Sequence, residues 1–508
     1  MAGVQLPNGR WLFTYNDFSG GKNSAFASAM LADNQLEDII NGDLVETGAI
    51  QKRKGYARVI PRSLGAGGMQ GLYEYRTTSN GRYLLGVWNE QLYASQNLTS
   101  WTGPIFTLSE HPVTFSSYRG KAYMLDGGNS ITVLNILSAA KITPYTTSGE
   151  ESNNLLADEG NPIHKCKYHL WKNDWMIMAG SSAAPNLLYI SALEDPSYFP
   201  ANRIIRIGDD TDAITGLALF YDAIVIFKRR STWVLHMETP SDLSTMKLVR
   251  IHDNIGCVDH RTIRLAENML VFLSEQGVYA VLPANLFKEQ LQFKHLSANV
   301  QRDLRDTTNA SAIYDNHVYR LCLPEQGIVF KYYVRLGAWS VDTHPLVNEY
   351  IIFDNEVICG HYSEGLVYKL GVGHNDDGAP FTFRVVTKPY DFGNQLLPKK
   401  LKRGFVVFRR TESQCVVQAS IKWNREHGLA DFVETTFDED FAINPNEQAE
   451  LGDFILGTHR LGEFPTVVTR AVPLSGRGNV VQVAITNSDE GDVTLYGVGV
   501  SLKIKKPR

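Results

Sequence analysis

Two short acidic turns carry the oxygen ligands that a hard cation prefers. Residues 208–212 read GDDTD, and residues 374–378 read HNDDG. Carboxylate and amide oxygens grouped in this way could bind Ca²⁺. Asp and Asn also form side-chain turns in loops, and residues 374–378 precede a strand-like segment where such a turn is expected. The turn interpretation is the simpler one, so we predict no metal site.

Known catalytic motifs are missing from the sequence. Neither the zinc-protease pattern HExxH, nor the nucleophile elbow GxSxG, nor a phosphate-binding loop occurs. A glycosidase would need two carboxylates around one site, and a sialidase an arginine cluster with a tyrosine. Arg229 and Arg230 could join such a cluster, but they follow a predicted strand and more simply lie at its solvent end. We therefore predict that the protein is not an enzyme and needs no cofactor.

Charged side chains are concentrated in a few runs that could contact partners. We predict assembly contacts at two basic runs, which comprise Lys52, Arg53, Lys54, Lys399, Lys400, Lys402 and Arg403. We predict an acidic loop lining a channel, with Glu434, Asp438, Glu439, Asp440, Glu447 and Glu450. The basic runs could instead touch phosphates or form a solvated face. The net charge is -5, so six copies would carry 6 × -5, or -30, and would repel DNA rather than hold it.

A recurring β-hairpin is the element that would position these residues. Residues 354–370 (DNEVICGHYSEGLVYKL) contain a turn at Asp354 and Asn355, an apolar strand, a reversal and a return strand. We expect Gly365 to supply a positive φ at the reversal. Similar hairpins occur at 81–94, 120–134, 174–190, 222–235, 268–282 and 315–332. Their spacing of roughly 40–55 residues is typical of propeller blades, and a lone hairpin is unstable without neighbours. The pattern predicts an all-β fold with a β-propeller of about seven blades.

The segments on either side of the hairpins have a different character. Residues 1–70 form an N-terminal arm with a short helix predicted within 25–44. We expect the arm to pack on the propeller or to close it by donating a strand, and the functional alternative is that it docks to a neighbouring subunit. Residues 71–390 are the propeller. Residues 391–508 alternate strands with turns, which is typical of an antiparallel β-sandwich.

The composition limits the environment in which the protein is made. The 508-residue chain has five cysteines far apart in sequence, an odd number that argues against a disulfide framework. Cysteines within predicted strands are expected to pack as small apolar residues. We see no signal peptide and no apolar stretch long enough to span a membrane, so we expect a protein that is soluble when made in a reducing cytosol.

Several segments resemble the large β-propeller proteins of bacteriophage tails. The similarity covers residues 18–56, which contain GGKN at 20–23, LADNQ at 31–35 and GAIQKRKGY at 48–56. It also covers residues 362–393, with the DDG turn at 376–378, the following KKLKR, and the closing strands at 474–503. None of these motifs is catalytic. They are typical of a structural family.

The resemblance implies a structural virion protein of the tail nozzle or tail hub family of short-tailed phages. In that family six copies form a ring below the portal and adaptor, which closes the capsid exit and conducts DNA during ejection. The implied partners are other copies of the chain, adaptor or head-to-tail connector proteins above, and spike, fibre or needle proteins below. DNA would pass without sequence-specific contacts, and the protein would be made in the host cytoplasm and end in the virion tail.

Two other functions remain open from the sequence. A receptor- or carbohydrate-binding tail or baseplate propeller would have aromatic platforms at one rim, and the candidates are Trp88, Trp101, Trp171 and Trp175. The simpler interpretation of these tryptophans is that they belong to the blade core. The second alternative is a propeller glycosidase. A sixfold ring, glycan binding or glycoside turnover would distinguish the three functions.

Overall fold

The protein is built from strands and tight turns. The computed structural model describes residues 3–7, 9–79, 81–109, 112–145, 153–237, 245–283, 291–393, 397–409, 415–424, 439–443 and 467–504. The helices within these residues are single 3-10 turns, at Ser28–Met30, Leu155–Ala157, Pro162–Lys165, His260–Thr262 and Ala298–Val300. The strands pair into two large sheets and a series of four-stranded sheets.

The N-terminal arm contributes seven short strands. They are β1 (Gly3–Gln5), β2 (Trp11–Tyr15), β3 (Gly21–Lys22), β4 (Gln35–Ile40), β5 (Gly42–Leu44), β6 (Ile50–Lys52) and β7 (Tyr56–Arg58). The predicted helix over residues 25–44 is wrong, because this segment contains one 3-10 turn, Ser28–Met30, followed by the strands β4 and β5. Leu36 and Ile39 are both buried, a spacing that resembles one face of a helix. A β-bulge, where Asp38 pairs with Val386 but Leu36 with Thr387, gives a strand the same spacing.

Six propeller blades are separate four-stranded antiparallel sheets. The first blade contains β8 (Met69–Arg76), β9 (Arg82–Trp88), β10 (Gln91–Ser95) and β11 (Thr102–Thr107). The second contains β12 (Thr114–Tyr118), β13 (Lys121–Leu125), β14 (Thr132–Asn135) and β15 (Ser138–Lys141). The third contains β16 (Tyr168–Lys172), β17 (Trp175–Ala179), β18 (Leu187–Ile190) and β19 (Ile204–Arg206). The fourth blade contains β20 (Ile214–Phe220), β21 (Ala223–Lys228), β22 (Thr232–Met237) and β23 (Met246–His252). The fifth contains β24 (Arg264–Ala266), β25 (Met269–Ser274), β26 (Gly277–Pro283) and β27 (Leu291–His295). The predicted count of about seven blades is therefore one more than the six separate sheets.

The difference arises because one four-strand set belongs to a larger sheet. This set is β28 (Ser311–Asp315), β29 (Val318–Leu323), β30 (Ile328–Tyr333) and β31 (Ala338–Asp342), the first part of a ten-stranded sheet. The sixth separate blade follows with β32 (Val347–Phe353), β33 (Glu356–His361) and β34 (Val367–Leu370). Contacts join β8, β12, β16 and β20 in order, and the 3-10 turn His260–Thr262 links β20 to β25. The strand β24 contacts β28, β28 contacts β32, and β32 contacts β8, so the ring is closed.

The seven predicted hairpins are all present, each as the second and third strands of a four-strand set. Their second strands are buried on both faces, as in β17, β21 and β25, which explains their continuous apolar sequences. The positive φ expected at Gly365 is wrong. A Cβ there would lie 2.8 Å from the Leu64 Cβ, so this glycine permits a close approach of the arm.

The arm closes the ring, which was one of its predicted roles. The strand β7 pairs with β34 and supplies the fourth strand of the last blade. The loop after β7 is also bonded to this blade, with Leu64 N donating to Gly365 O at 2.9 Å and Gly365 N donating to Gly65 O at 2.8 Å. The arm and the last blade are thus joined over both a strand and a loop.

A β-sandwich covers the end of the sequence. Its strands are β35 (Phe383–Thr387), β36 (Lys399–Arg409), β37 (Cys415–Asn424), β38 (Glu439–Ile443), β39 (Val467–Gly478), β40 (Val480–Asn487) and β41 (Thr494–Ile504). One sheet runs β1-β2-β41-β36-β39, and the ten-stranded sheet runs from β28 through β31, β4, β35 and β40 to β37 and β38. Both sheets contribute to one apolar core. The sandwich takes strands from the arm, and the predicted boundaries at 70 and 390 stay predictions.

Candidate assembly surfaces

Arg53 joins the arm to the turn that precedes the sandwich. Its guanidinium donates two hydrogen bonds to the carboxylate of Asp376, at 2.8 and 2.7 Å, and one to Asn41 Oδ1 at 3.0 Å. It also lies over the ring of Phe381, 3.9 Å from the centroid. Burial would lower the pKa of Arg53, but the Asp376 hydrogen bonds and the charge of Asp342 raise it above its usual value. This pair holds the end of β6 in place.

Lys52 is used in the same joint. Its Nζ donates to Asn487 Oδ1 at 2.9 Å and to the carbonyl of Asp489, and lies 4.5 Å from the Phe381 centroid. Lys52 is 1% exposed and Arg53 is 5% exposed. The prediction that they contact a partner is therefore wrong for these two residues, because their charges are engaged inside the chain. Lys54 is exposed, and its role in assembly stays a prediction.

A second ionic group lies beside this joint and was not found from the sequence. Lys331 and Asp342 are buried, whereas the Asp43 side chain is 41% exposed. Lys331 Nζ lies 2.6 Å from Asp43 Oδ1 and 2.8 Å from Asp342 Oδ1. Tyr333 donates to the same oxygen of Asp43 at 2.8 Å. Burial raises the pKa of Asp342, whereas the pKa of Asp43 lies below its usual value because Lys331 outweighs its burial. A lysine inside the apolar run of β30 was the signal that the sequence offered.

These groups line a cavity of about 220 Å³ between the ten-stranded sheet and the arm. Its walls include Asp43, Arg53, Arg320, Lys331 and Asp342. Buried ion pairs cost desolvation, and they favour one arrangement over others more than they add stability. The cluster can fix how the arm crosses from the sandwich to the last blade.

The second predicted basic run is divided between the core and the surface. Lys399 is buried, its Nζ donates to Asn479 O at 2.7 Å, and burial lowers its pKa to about 8. The assembly prediction is therefore wrong for Lys399. Lys400 and Arg403 are exposed and Lys402 is half-buried. Repulsion from Lys400, ahead of burial and of repulsion from Arg10 and Lys503, lowers the pKa of Lys402.

The predicted acidic loop lies mostly outside the described residues, where Glu434, Asp438, Glu447 and Glu450 fall. Glu439 and Asp440 are described by their backbone, which forms part of β38 and pairs with Ala419 and Gln418 of β37. These two residues are therefore in a strand and not in a loop. Their position in a channel stays a prediction.

The two acidic turns use their oxygens within the chain. Asp376 binds Arg53, and Asp377 Oδ2 accepts from Arg58 at 2.8 Å. In the other turn, Asp209 accepts from Thr211, and Asp212 accepts from Ser231. The side-chain turn interpretation accounts for both. Within the described residues, no group of three or more His, Cys, Asp or Glu side chains could hold a metal ion.

The arginines and tryptophans proposed for alternative functions also have local roles. Arg229 is exposed and pairs with Glu275 at 2.7 Å, at the solvent end of β21. Trp175 is buried under Arg203, and Trp171 stacks on Tyr118 with centroids 3.9 Å apart. Trp88 and Trp101 are half-buried, and Trp88 donates to Gly67 O at 3.0 Å. These contacts are those of residues that pack within and between blades.

Buried polar groups connect the inner strands around the ring. Arg261 donates to Asp259 Oδ2 and to Asn348 Oδ1, each at 2.7 Å. Burial raises the pKa of nearby Glu349 to about 7, against the opposing charge of Arg261. Burial likewise lowers the pKa of His169 to about 3, and its neutral ring lies 2.6 Å from Ser116 Oγ. The inner ring is therefore held by polar contacts as well as by apolar packing.

The free cysteines that are described, Cys166, Cys257, Cys322 and Cys359, are all buried. Burial raises the pKa of Cys257 and of Cys322 to about 12. They pack as small apolar residues, as expected. Within the described residues, no helix has the length and apolar character needed to cross a membrane.

Comparisons with known proteins find only solved structures with low identity and TM-scores below 0.5. No protein-family model and no curated protein matches the chain. Among solved structures it is similar to the computationally designed Ika8 protein, with 11% identity and a TM-score of 0.39 over 62% of this chain and 100% of that chain. It is similar to the extracellular domain of BT4673 from B. thetaiotaomicron, with 11% identity and a TM-score of 0.43 over 71% of this chain and 43% of that chain, so it spans less than half of that protein. It is also similar to BamB from Moraxella catarrhalis, with 11% identity and a TM-score of 0.36 over 73% of this chain and 100% of that chain. The β-propeller assignment rests on the strand pairing described above.

Proposed function

We propose that the protein is a structural subunit of a bacteriophage tail, in which copies assemble as a ring-shaped nozzle or hub below the portal and adaptor. The ring would close the capsid exit and conduct DNA during ejection. Its partners would be other copies of the chain, connector proteins above and spike, fibre or needle proteins below. In this proposal the protein has no catalytic role.

The observation that carries the proposal is the continuity between a propeller blade and the sandwich. The blade β28–β31 continues through β4 into β35, β40, β37 and β38 as one hydrogen-bonded sheet. The arm closes the ring of blades on the other side through β7. Such construction favours a stiff building block over a mobile enzyme, in which lids and loops must open and close.

The charged and polar groups support a structural role in the same way. The two ionic groups, Arg53 with Asp376 and Lys331 with Asp43 and Asp342, brace the joint. A closed ring of subunits requires heterologous contacts that repeat by rotation. Exposed cations such as Lys54, Lys400 and Arg403 are available for these contacts.

Measuring the mass and shape of the purified protein tests the proposal. Six copies of a 56.8 kDa chain have a mass of 6 × 56.8, or 341 kDa. We expect light scattering to give this mass, alone or with the purified connector, and electron microscopy to show a ring with a central channel. A particle that stays at 56.8 kDa with and without connector, and that binds glycans or hydrolyses a glycoside, would overturn it.

The variants Lys54→Glu and Lys165→Glu form a matched pair for this experiment. Both lysines are exposed, and only Lys54 lies in a run predicted to make assembly contacts. The Lys54 variant should shift the ring toward smaller species, and the Lys165 variant should leave the mass unchanged. An equal effect of both variants would point to net charge, and the predicted contact at Lys54 would then be wrong.

A further inference from the structure

Four cations lie side by side across one sheet of the sandwich. Lys400 of β36 pairs with Lys503 of β41 on one side and with Arg477 of β39 on the other. Trp11 of β2 pairs with Leu502, so Arg10 continues the row beyond Lys503. All four side chains are exposed. We call Arg477, Lys400, Lys503 and Arg10 the basic row.

Like charges directly opposite one another in a sheet are unfavourable, so a row of four needs a reason. Repulsion also acts on Lys402, the residue beside the row. The pKa of Lys402 is lowered first by Lys400, then by burial, and further by Arg10 and Lys503. Departures from the ordinary rules of folding occur most often at functional positions. An anionic partner would relieve the repulsion.

The rest of this sheet face indicates which kind of anion fits. On β41 the residues that alternate with the buried Val498, Val500 and Leu502 are Gly497, Gly499 and Ser501. These three residues are buried, and the half-buried Phe405 of β36 stands opposite Gly499, so the face also carries apolar side chains. Protein interfaces depend on inserted aromatic and arginine anchors and are depleted in lysine. A line of four exposed cations is suited to a polymer backbone with regularly spaced charges.

The dimensions agree with a nucleic acid. Neighbouring strands lie about 4.8 Å apart, so the four cations span roughly 14 Å. One strand of a DNA duplex presents a phosphate about every 3.4 Å along the axis, so about four to five phosphates lie within this length. The row offers charge without groups arranged to distinguish bases, since base recognition requires contacts in a groove.

We propose that the basic row binds the phosphate backbone of a nucleic acid without reading its sequence. The proposal stands on the sheet face of a single chain and does not require the ring, so the two proposals can fail separately. It also revises the expectation from net charge that DNA is repelled everywhere on this protein. Local charge on one face dominates at distances below the Debye length of about 8–10 Å.

Fluorescence anisotropy with the full chain tests the proposal directly. The probes are a labelled 30-base-pair duplex of mixed sequence and a second duplex of unrelated sequence, each titrated at 50–200 mM salt. We expect both to bind in the micromolar range or tighter at low salt, with similar affinity. Light scattering in the same buffer measures the oligomeric state independently.

The test variant is Lys400→Gln/Lys503→Gln/Arg477→Gln, and the matched control is Lys121→Gln/Lys141→Gln/Lys165→Gln, which removes the same number of positive charges. The control removes exposed lysines from the propeller, away from the basic row. The triple variant should bind duplex at least about tenfold more weakly at 50 mM salt, and the salt slope should fall by about 0.9 for each lost contact, or about 2.7 for three. Because the substitutions remove repulsion, the triple variant should melt no lower than the original chain.

Three results would overturn the proposal. The first is that the original chain does not bind either duplex at 50 mM salt. The second is that the triple variant binds with unchanged affinity and salt slope. The third is that the triple variant changes the oligomeric state while duplex binding stays the same, which would identify the row as a contact between protein subunits. A binding loss equal to that of the control would likewise count against the row.

Discussion

Replacing Arg53 with methionine should release the strand that closes the propeller ring. Arg53 binds both carboxylate oxygens of Asp376, at 2.8 and 2.7 Å, and lies three residues before the start of β7. Methionine preserves an unbranched apolar side chain over the Phe381 ring. It leaves the carboxylate of Asp376, which is 8% exposed, without its arginine.

The expected cost follows from that unpaired charge. Removing one partner of a buried ion pair typically lowers the free energy of unfolding by about 3–5 kcal/mol. Replacing both partners with apolar residues is often neutral. We therefore expect Arg53→Met to cost about 3–5 kcal/mol, and Arg53→Met/Asp376→Leu to cost less than about 2 kcal/mol, because the second change removes the stranded carboxylate.

Urea denaturation and hydrogen exchange together measure this effect. Unfolding followed by tryptophan fluorescence gives the change in free energy, and exchange reports on the amides of Tyr56–Arg58 and Val367–Leu370. The control is Arg58→Met, which breaks the exposed pair with Asp377 and should cost less than about 1 kcal/mol. Only Arg53→Met should speed exchange in both strands.

The reasoning would be refuted by any of three outcomes. Arg53→Met could cost no more than Arg58→Met, which would mean that burial of the pair has no energetic consequence. The double variant could be as unstable as the single one, which would place the loss in the arginine contacts with Asn41 and Phe381. Exchange in β7 could also stay protected, which would show that the strand is held independently of this pair.

Three further perturbations have defined outcomes. Glu349 has a folded pKa of about 7, above its unfolded value, so the folded chain binds the extra proton and stability should fall as pH rises from about 4.5 to 7. Glu349→Gln should remove that dependence and stabilise the protein by up to about 3 kcal/mol at pH 8 but not at pH 4, as measured by urea titration; equal effects at both pH values would contradict this. Lys399 has a folded pKa of about 8, below its unfolded value, so stability should rise between pH 8 and about 10.5. Lys399→Met should flatten this rise relative to the original chain and add about 2 kcal/mol at pH 7, and a loss of stability there would show that the bond to Asn479 dominates. Gly365→Ala should cost about 1–3 kcal/mol because the added Cβ meets Leu64 at 2.8 Å, and an unchanged melting temperature would show that the arm loop yields freely.

The hairpins were predictable because each one carries its own signal. The second strands, such as Trp175–Ala179 and Ala223–Lys228, are buried on both faces and therefore read as short continuous apolar runs. Turns with positive φ at Asn316 and Asp354 mark the start of such strands. These local patterns are enough to indicate a propeller.

The joint could not be predicted, because its partners are far apart in the chain. Arg53 binds Asp376, which lies 323 residues later in the chain. The run of three cations at residues 52–54 is typical of a surface turn when that partner is not known. The sequence of β4 predicts a helix because a β-bulge gives its buried residues, Leu36 and Ile39, a spacing of three. In both cases tertiary pairing, and not local preference, decides the outcome.

The pairing of β2 with β41 has a consequence for the order of folding during synthesis. Trp11 pairs with Leu502, so β2 must wait until β41, which lies 491 residues later in the chain, has been made. The blades from β8 to β27 pair only within themselves and can form while the chain is still being made. The sandwich, with its long-range pairings, must form last and more slowly. Until then the arm's strand edges stay unpaired, so the nascent chain is most exposed to misassociation just before its sandwich closes.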